Sequence, residues 1–280
     1  MPDARPDVRP AVWLELCRAA AVDIRRILGE LPTRLEREPT VGTGEGGDET
    51  TAIDAAAERA LVERFEALHD TGLDFVLVSE ELGERRFGAS PRLRVVVDPI
   101  DGSVNAKRGI PFFSLSVAVA DGETMDDVAF GYVHDFGSGE EWTAERGGGA
   151  CLDGRPLGPL GPKERIELLS FEATLTSFVA AQASAFLALA PRLRIMGSLA
   201  LSLCHLAAGR VDAVVSLKPI RSVDVAAGQL LLREQGLAID LADDPPFGAA
   251  PLDVASRSRV VAAPTPEGCR LLAEALQASG

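Results

Sequence analysis

Only four of the 280 residues are cysteine, and Cys17, Cys151, Cys204 and Cys269 are too scattered for any CxxC or CxxH spacing. That excludes a disulfide framework or a zinc ribbon and fits a reducing compartment, where such residues serve as small buried hydrophobes. Lysine is scarcer still, at three (Lys107, Lys163 and Lys218), and 28 cations face 42 acids for a formal net charge of −14. A basic face for nucleic acid polymers or for a membrane surface is therefore not expected, because phosphate neutralisation needs clustered cations. No apolar run reaches spanning length; the longest candidate, 177–190, is alanine-rich and broken by Gln182 and Ser184. The segment Met1–Pro10 carries charges and prolines but no apolar h-region, so the expectation is a cytoplasmic protein without a secretory signal.

What is present is ordinary globular material, 46% hydrophobic and 25% charged, long enough for one large domain or two mid-sized ones. Trp13, Leu16, Cys17, Ala20, Ile24, Ile27, Leu28 and Leu31 recur at three and four residues, which predicts an amphipathic helix over 11–31. The glycine-rich run Gly42–Asp48 reads as a mobile loop, followed by a helix over 51–69. Two short strands, 73–78 and 93–97, both run into acidic residues, and two more, 112–119 and 128–133, flank an acidic turn at Asp121-Gly122. Glu141–Ala144 and the glycine turn 147–149 continue the β-rich section. A Gly/Pro cluster over 154–162 divides an α+β half, 1–157, from an α/β half, 158–280. In the second half, strands at 166–171, 193–196, 212–217 and 259–263 alternate with helices over 177–190, 198–208, 223–235 and 267–278.

The most informative stretch is Val95-Val-Val-Asp98-Pro-Ile-Asp101-Gly-Ser103-Val-Asn105. An apolar strand delivers Asp98, a proline-stiffened turn brings Asp101 three residues later, and the Ile100 carbonyl lies between them. Oxygen-only donors of this kind suit a hard cation such as Mg²⁺ rather than zinc. Gly102 allows a tight backbone, Ser103 is expected to N-cap a short helix, and their N–H groups would form an anion seat. A DG turn that happens to carry two acids is the plainer alternative. Val78-Ser-Glu80-Glu81 also puts acids at a strand end, and Asp224 opens an otherwise apolar helix in Val223-Asp-Val-Ala-Ala-Gly228. Taken singly, the first reads as a solvated pair and the second as a helix cap.

Together and in this order, the three segments resemble the inositol monophosphatase family, whose signatures are a strand-end acid pair, DPIDGT and WDxAAG. Thr51-Ala-Ile-Asp54, the block Gly131–Leu157, and Met196-Gly-Ser198 through Gly209-Arg-Val-Asp212 extend the likeness over about 12–240. The resemblance implies an αβαβα layered sandwich of the sugar-phosphatase type, usually a homodimer, with a Mg²⁺-dependent activity that is often lithium-sensitive. It implies one metal on Glu80, Asp98 and the Ile100 carbonyl, and a second on Asp98, Asp101 and Asp224. Asp54 and Ser103 match the pair that orients and deprotonates the attacking water, and Glu81 matches an acid serving a third, weaker metal. Gly102 and Ser103 would seat the phosphate, and Gly197, Ser198, Lys218 and Arg221 would face the rest of the substrate.

The departures narrow the branch. Ser103 replaces the signature threonine and keeps its hydroxyl. Val223 replaces the tryptophan, with Arg221 just before it, which is closer to the archaeal-type fructose-1,6-bisphosphatase/inositol monophosphatase branch. The acid that grips inositol hydroxyls falls near Ser216 or Leu217, and the loop lysine is replaced at Gly44/Glu45. Lys218 and Arg221 could meet a second phosphate, or could serve as a strand end and a helix cap. The leading expectation is a Mg²⁺-dependent phosphatase of a sugar or polyol phosphate. The competing ones are a 3′(2′),5′-bisphosphate nucleotidase and a catalytically silent phosphosugar-binding regulator.

Overall fold

In strand Leu93–Asp101 the residues from Val95 to Val97 are all apolar, so both of its faces need cover. A computed structural model, which describes residues 8–45, 47, 49–161, 163, 165–172, 175–243 and 246–278, supplies that cover. The strand lies inside an eight-stranded sheet, parallel to Phe75–Ser79 and antiparallel to Ser114–Ala120. Strand Gly83–Phe87 forms one edge, and Val128–Asp135, Glu141–Glu145, Gly149–Leu152 and Arg155–Pro156 continue to the other. The period of two sorts the side chains. Phe75, Leu77, Val95 and Val97 pack under helices Pro10–Glu30 and Ala52–Asp70, with Trp13 edge-on to Phe75 at 5.8 Å between ring centroids. Val76, Val78 and Val96 face the opposite way, onto helices Leu199–Ala207 and Ser222–Glu234.

Those two helices are buried over most of their length because a second sheet covers them. Its five strands lie in the order Arg192–Ile195, Leu168–Glu172, Ala213–Ser216, Val260–Ala263 and Ala238–Leu241. Val214, Val260 and Ala262 belong to the middle core, while Phe171, Val215, Val261 and Ala263 pack on the outer side with Leu272 and Leu276 of helix Pro266–Gln277. The result is helices, sheet, helices, sheet, helix: the αβαβα sandwich that the resemblance implied. Cys17, Cys204 and Cys269 are buried, Cys151 is half-buried, and all four are free. No helix among the described residues is long and apolar enough to cross a membrane.

Several local expectations needed correction. Of the run 42–48 expected to be a mobile loop, Gly42 and Thr43 belong to strand Thr40–Thr43, which pairs antiparallel with Glu49–Thr51, and the rest lies between these arms, with residues 46 and 48 outside the described set. Threonines on both arms favour the extended backbone. The charged strand Gly83–Phe87 was not foreseen, since an edge strand tolerates charges that mask its pattern; Phe87 stacks on Phe75 at 4.7 Å. The helix expected over 177–190 runs only Thr176–Gln182 and then tightens to a 3₁₀ turn, Ala183–Phe186, that sets Phe186 against Phe171. Strand Ala238–Leu241 was also missed, and Val260–Ala263 runs antiparallel to both its neighbours, so the second sheet is mixed.

Candidate active site

Because Phe75–Ser79 and Leu93–Asp101 are parallel neighbours, their C-terminal ends, and with them Glu80, Asp98 and Asp101, lie at the same edge of the sheet. Helix Ser222–Glu234 begins at that edge. Asp224 is its third residue, and its Oδ2 accepts the Arg221 N–H at 2.8 Å, as a capping box requires. The consequence is that Glu80, Asp98 and Asp224 each place a carboxylate oxygen within 4.8 Å of the others. Burial and the charges of Glu80, Asp101 and Asp224 hold the Asp98 carboxyl well above the usual carboxylate range, although its Oδ1 accepts the Ile100 N–H at 2.9 Å.

Asp101 turns towards the other half of the molecule. Its Oδ2 accepts from Ser198 Oγ at 2.5 Å and from Ala200 N at 2.7 Å, at the start of helix Leu199–Ala207. Burial and Asp224 nevertheless push its pKa up to about 7. Gly102, rather than the expected Ser103, is the N-cap of helix Ser103–Arg108; Ser103 is its first residue and donates from Oγ to the Ile100 carbonyl at 3.0 Å. Gly102 sits at φ 99°, and a Cβ there would lie 3.0 Å from the Gly197 carbonyl oxygen, so only glycine fits.

Asp54 completes a capping box with Thr51, whose Oγ1 and N–H donate to Asp54 Oδ2 at 2.5 and 3.2 Å. The other oxygen, Oδ1, is buried and has no partner among the described residues. Glu81 is held under the 40–51 hairpin: Thr50 Oγ1 donates to its Oε2, and the Glu45 N–H donates to its carbonyl at 3.1 Å. Arg221 is buried, with Nη2 2.5 Å from Glu80 Oε1. A cleft of about 460 Å³ joins Asp54, Glu80, Glu81, Asp98, Ile100, Asp101, Gly102, Ser103, Asp224, Gly197, Lys218 and Arg221. Ser198 stands behind this wall, 1% exposed, bound to Asp101.

A sequence model of the inositol monophosphatase family matches residues 13–280. The chain belongs to that family. Curated relatives include the fructose-1,6-bisphosphatase/inositol-1-monophosphatases of Methanothermobacter thermautotrophicus and Archaeoglobus fulgidus. The first is 31% identical over 234 residues, covering 80% of this chain and 82% of the relative. The second is 31% identical over 253 residues, covering 89% and 92%. A solved inositol monophosphatase–fructose 1,6-bisphosphatase superposes with a TM-score of 0.79 at 27% identity, over 94% of this chain and 99% of that one. Family membership makes the chain a phosphatase by class.

This inositol monophosphatase family member also has cleft residues that the sequence reading passed over, among them Glu49, Asn105, Lys107 and Glu172. Glu172 ends strand Leu168–Glu172 and is 5% exposed. Its Oε1 accepts from Ser202 Oγ at 2.5 Å and Ser170 Oγ at 3.1 Å, and its Oε2 from Gly197 N at 3.1 Å. Burial and the nearby charge of Asp101 push its pKa up to about 8. The signal was present: Leu-Leu-Ser-Phe-Glu172 is an apolar strand ending in an acid, the same pattern that marked Glu80 and Asp98.

Proposed function

We propose that this protein is a Mg²⁺-dependent phosphatase that hydrolyses a sugar or polyol phosphate monoester, acting as a cytoplasmic homodimer. The observation that carries the reading is the carboxylate group of Glu80, buried Asp98 and Asp224, in one cleft with an Asp54 oxygen that has no partner among the described residues. Carboxylates this close repel one another, and nothing but oxygen is offered, which is the donor set of a hard divalent cation. The residues present therefore fit the metal. Glu80, Asp98 and the Ile100 carbonyl would hold one Mg²⁺, and Asp98, Asp101 and Asp224 a second, with Glu81 available to a third. Mg²⁺ bound there supplies positive charge for the phosphoryl oxygens and makes a water more acidic.

The chain's own residues supply the remaining chemistry. The N–H groups of Gly102 and Ser103 are the seat for the phosphate. Asp54, with Oδ2 occupied by Thr51, has Oδ1 free to accept a proton from the attacking water, and the Ser103 hydroxyl aligns that water. The water oxygen bonds to phosphorus in line as the ester oxygen leaves, and the departing alkoxide takes up a proton. In this reading the 1–157 half carries most of the acids, and the 158–280 half carries Asp224 and the substrate side, Gly197, Lys218 and Arg221, while Ser198 holds Asp101 from behind the wall. Lys218 and Arg221 provide positive charge for a second phosphate, which favours fructose 1,6-bisphosphate alongside inositol 1-phosphate as substrates.

A phosphate-release panel with Mg²⁺, with and without chelator, tests this. The expected result is release from one or more phosphosugars that the chelator abolishes. Release mainly from adenosine 3′,5′-bisphosphate would move the protein to the nucleotidase class, and no release from any ester would overturn the enzymatic reading in favour of a phosphosugar-binding regulator.

A further inference from the structure

The peptide between Met196 and Gly197 is gripped from two sides. Its carbonyl, on Met196, accepts from Asn105 Nδ2 at 2.7 Å, and its N–H, on Gly197, donates to Glu172 Oε2 at 3.1 Å. The two grips come from different sheets. Asn105 lies in the short helix that follows strand Leu93–Asp101, while Glu172 ends a strand of the second sheet. Neither is free to swing. Asn105 Nδ2 also donates to the Phe112 carbonyl at 2.8 Å, and Glu172 Oε1 is occupied by the hydroxyls of Ser170 and Ser202. Gly197 is suited to the grip twice over: its φ is 88°, and a Cβ on it would meet Asn105 Nδ2 at 3.0 Å.

This peptide is also a wall of the cleft. Ile195, Met196 and Gly197 line it, and the Gly197 carbonyl abuts Gly102, where the phosphate seat is proposed. With the phosphoryl end seated at Gly102 and Ser103, the alcohol part of the ester has to lie along a neighbouring wall. We infer that Glu172 and Asn105 are positioning residues that clamp the 196–197 peptide from opposite sheets and so set the fit of the substrate's alcohol portion. The inference rests on the phosphate-ester reading of the cleft for its kinetic consequence, but the clamp itself does not.

The test uses the full chain with Glu172→Met, Asn105→Ala and the double variant. Glu172→Met keeps the side chain's length but removes both oxygens, so the Gly197 N–H loses its acceptor, while the Ser170 and Ser202 hydroxyls, 3.1 Å apart, can pair with each other. The first readout needs no substrate: the exchange rate of the Gly197 backbone amide by NMR. We expect it to rise at least tenfold in either single variant, while amides of helix Leu199–Ala207 keep their protection. The second is steady-state kinetics on whichever phosphosugar the wild type hydrolyses. KM is expected to rise about tenfold with a smaller change in kcat, and the double variant to match the worse single one within about twofold, because both grips act on one peptide. Unchanged Gly197 exchange in Asn105→Ala and Glu172→Met would overturn the clamp. So would KM effects that multiply in the double variant, since they would mean two independent roles. If the wild type hydrolyses none of the esters, the phosphatase reading fails, and the Gly197 amide alone decides the clamp.

Discussion

Replacing Asp98 by Asn should stabilise the metal-free protein while removing its response to Mg²⁺. Asp98 is 2% exposed, and its oxygens share a 4.8 Å group with those of Glu80 and Asp224. Two like charges at that separation repel by about 3.5 kcal/mol at an effective dielectric constant of about 20. Part of this is avoided because the raised pKa lets Asp98 hold a proton, so a net gain of about 1–2 kcal/mol is expected on neutralising it. Asparagine keeps an oxygen for the Ile100 N–H, and its amide can donate to neighbouring carboxylates, so no buried group is orphaned. For a chain of this size the gain corresponds to a Tm rise of roughly 2–8 °C. The assay is a thermal melt at pH 7.5 in chelator and again in Mg²⁺. The wild type should gain about 2.7 kcal/mol when free Mg²⁺ stands at 100 times its Kd, and the variant should gain little. A variant that melts below the wild type in chelator, or that responds to Mg²⁺ equally, would refute the reasoning.

Three further outcomes follow from the same geometry. Glu58, Asp101 and Glu172 have folded pKa values raised to about 7, 7 and 8, so the metal-free fold favours their protonated forms. Their contribution is fully present below the unfolded carboxylate range near 4 and is lost as pH rises to about 8. Urea midpoints in chelator should therefore fall between pH 5 and pH 8. Glu58 is buried, with Oε2 accepting from Ser79 Oγ at 2.7 Å and Oε1 without a partner among the described residues. Glu58→Gln should leave the pH 5 midpoint unchanged and raise stability at pH 8 by about 1–3 kcal/mol; an equal shift at both pH values would contradict the cause assigned to it. Arg221→Met removes the ion pair with Glu80 and should raise KM for fructose 1,6-bisphosphate more than for inositol 1-phosphate. Equal KM changes for the two esters in parallel assays would remove Arg221 from second-phosphate recognition.

The site was legible wherever a few adjacent residues carried it. Asp98, Asp101, Gly102 and Ser103 sit in one turn whose residue types already imply oxygen donors and a tight backbone, and Thr51 with Asp54 is a local capping box. The layered fold was readable from periods of two and near four, because a strand buried on both faces and a mostly apolar helix such as Leu199–Ala207 each demand cover. Elements whose pattern is masked were not readable: the charged edge strand Gly83–Phe87, the short strand Ala238–Leu241, and the short strands Thr40–Thr43 and Glu49–Thr51 on either side of a glycine-rich run. Ser198 likewise drew attention through its motif, yet its hydroxyl serves Asp101 from behind the cleft wall.

By itself the sequence determined which side chains could ligate a cation, seat an anion or accept a proton, since such chemistry is a property of residue type and of turns a few residues long. Only the tertiary structure decided which of them meet. Asp224 reaches Glu80 and Asp98 because its helix starts at the edge where two parallel strands end, and Glu172 and Asn105 find one peptide from two sheets. Those encounters depend on how helices and sheets stack across long stretches of chain, and packing over that distance leaves no mark in the neighbouring residues.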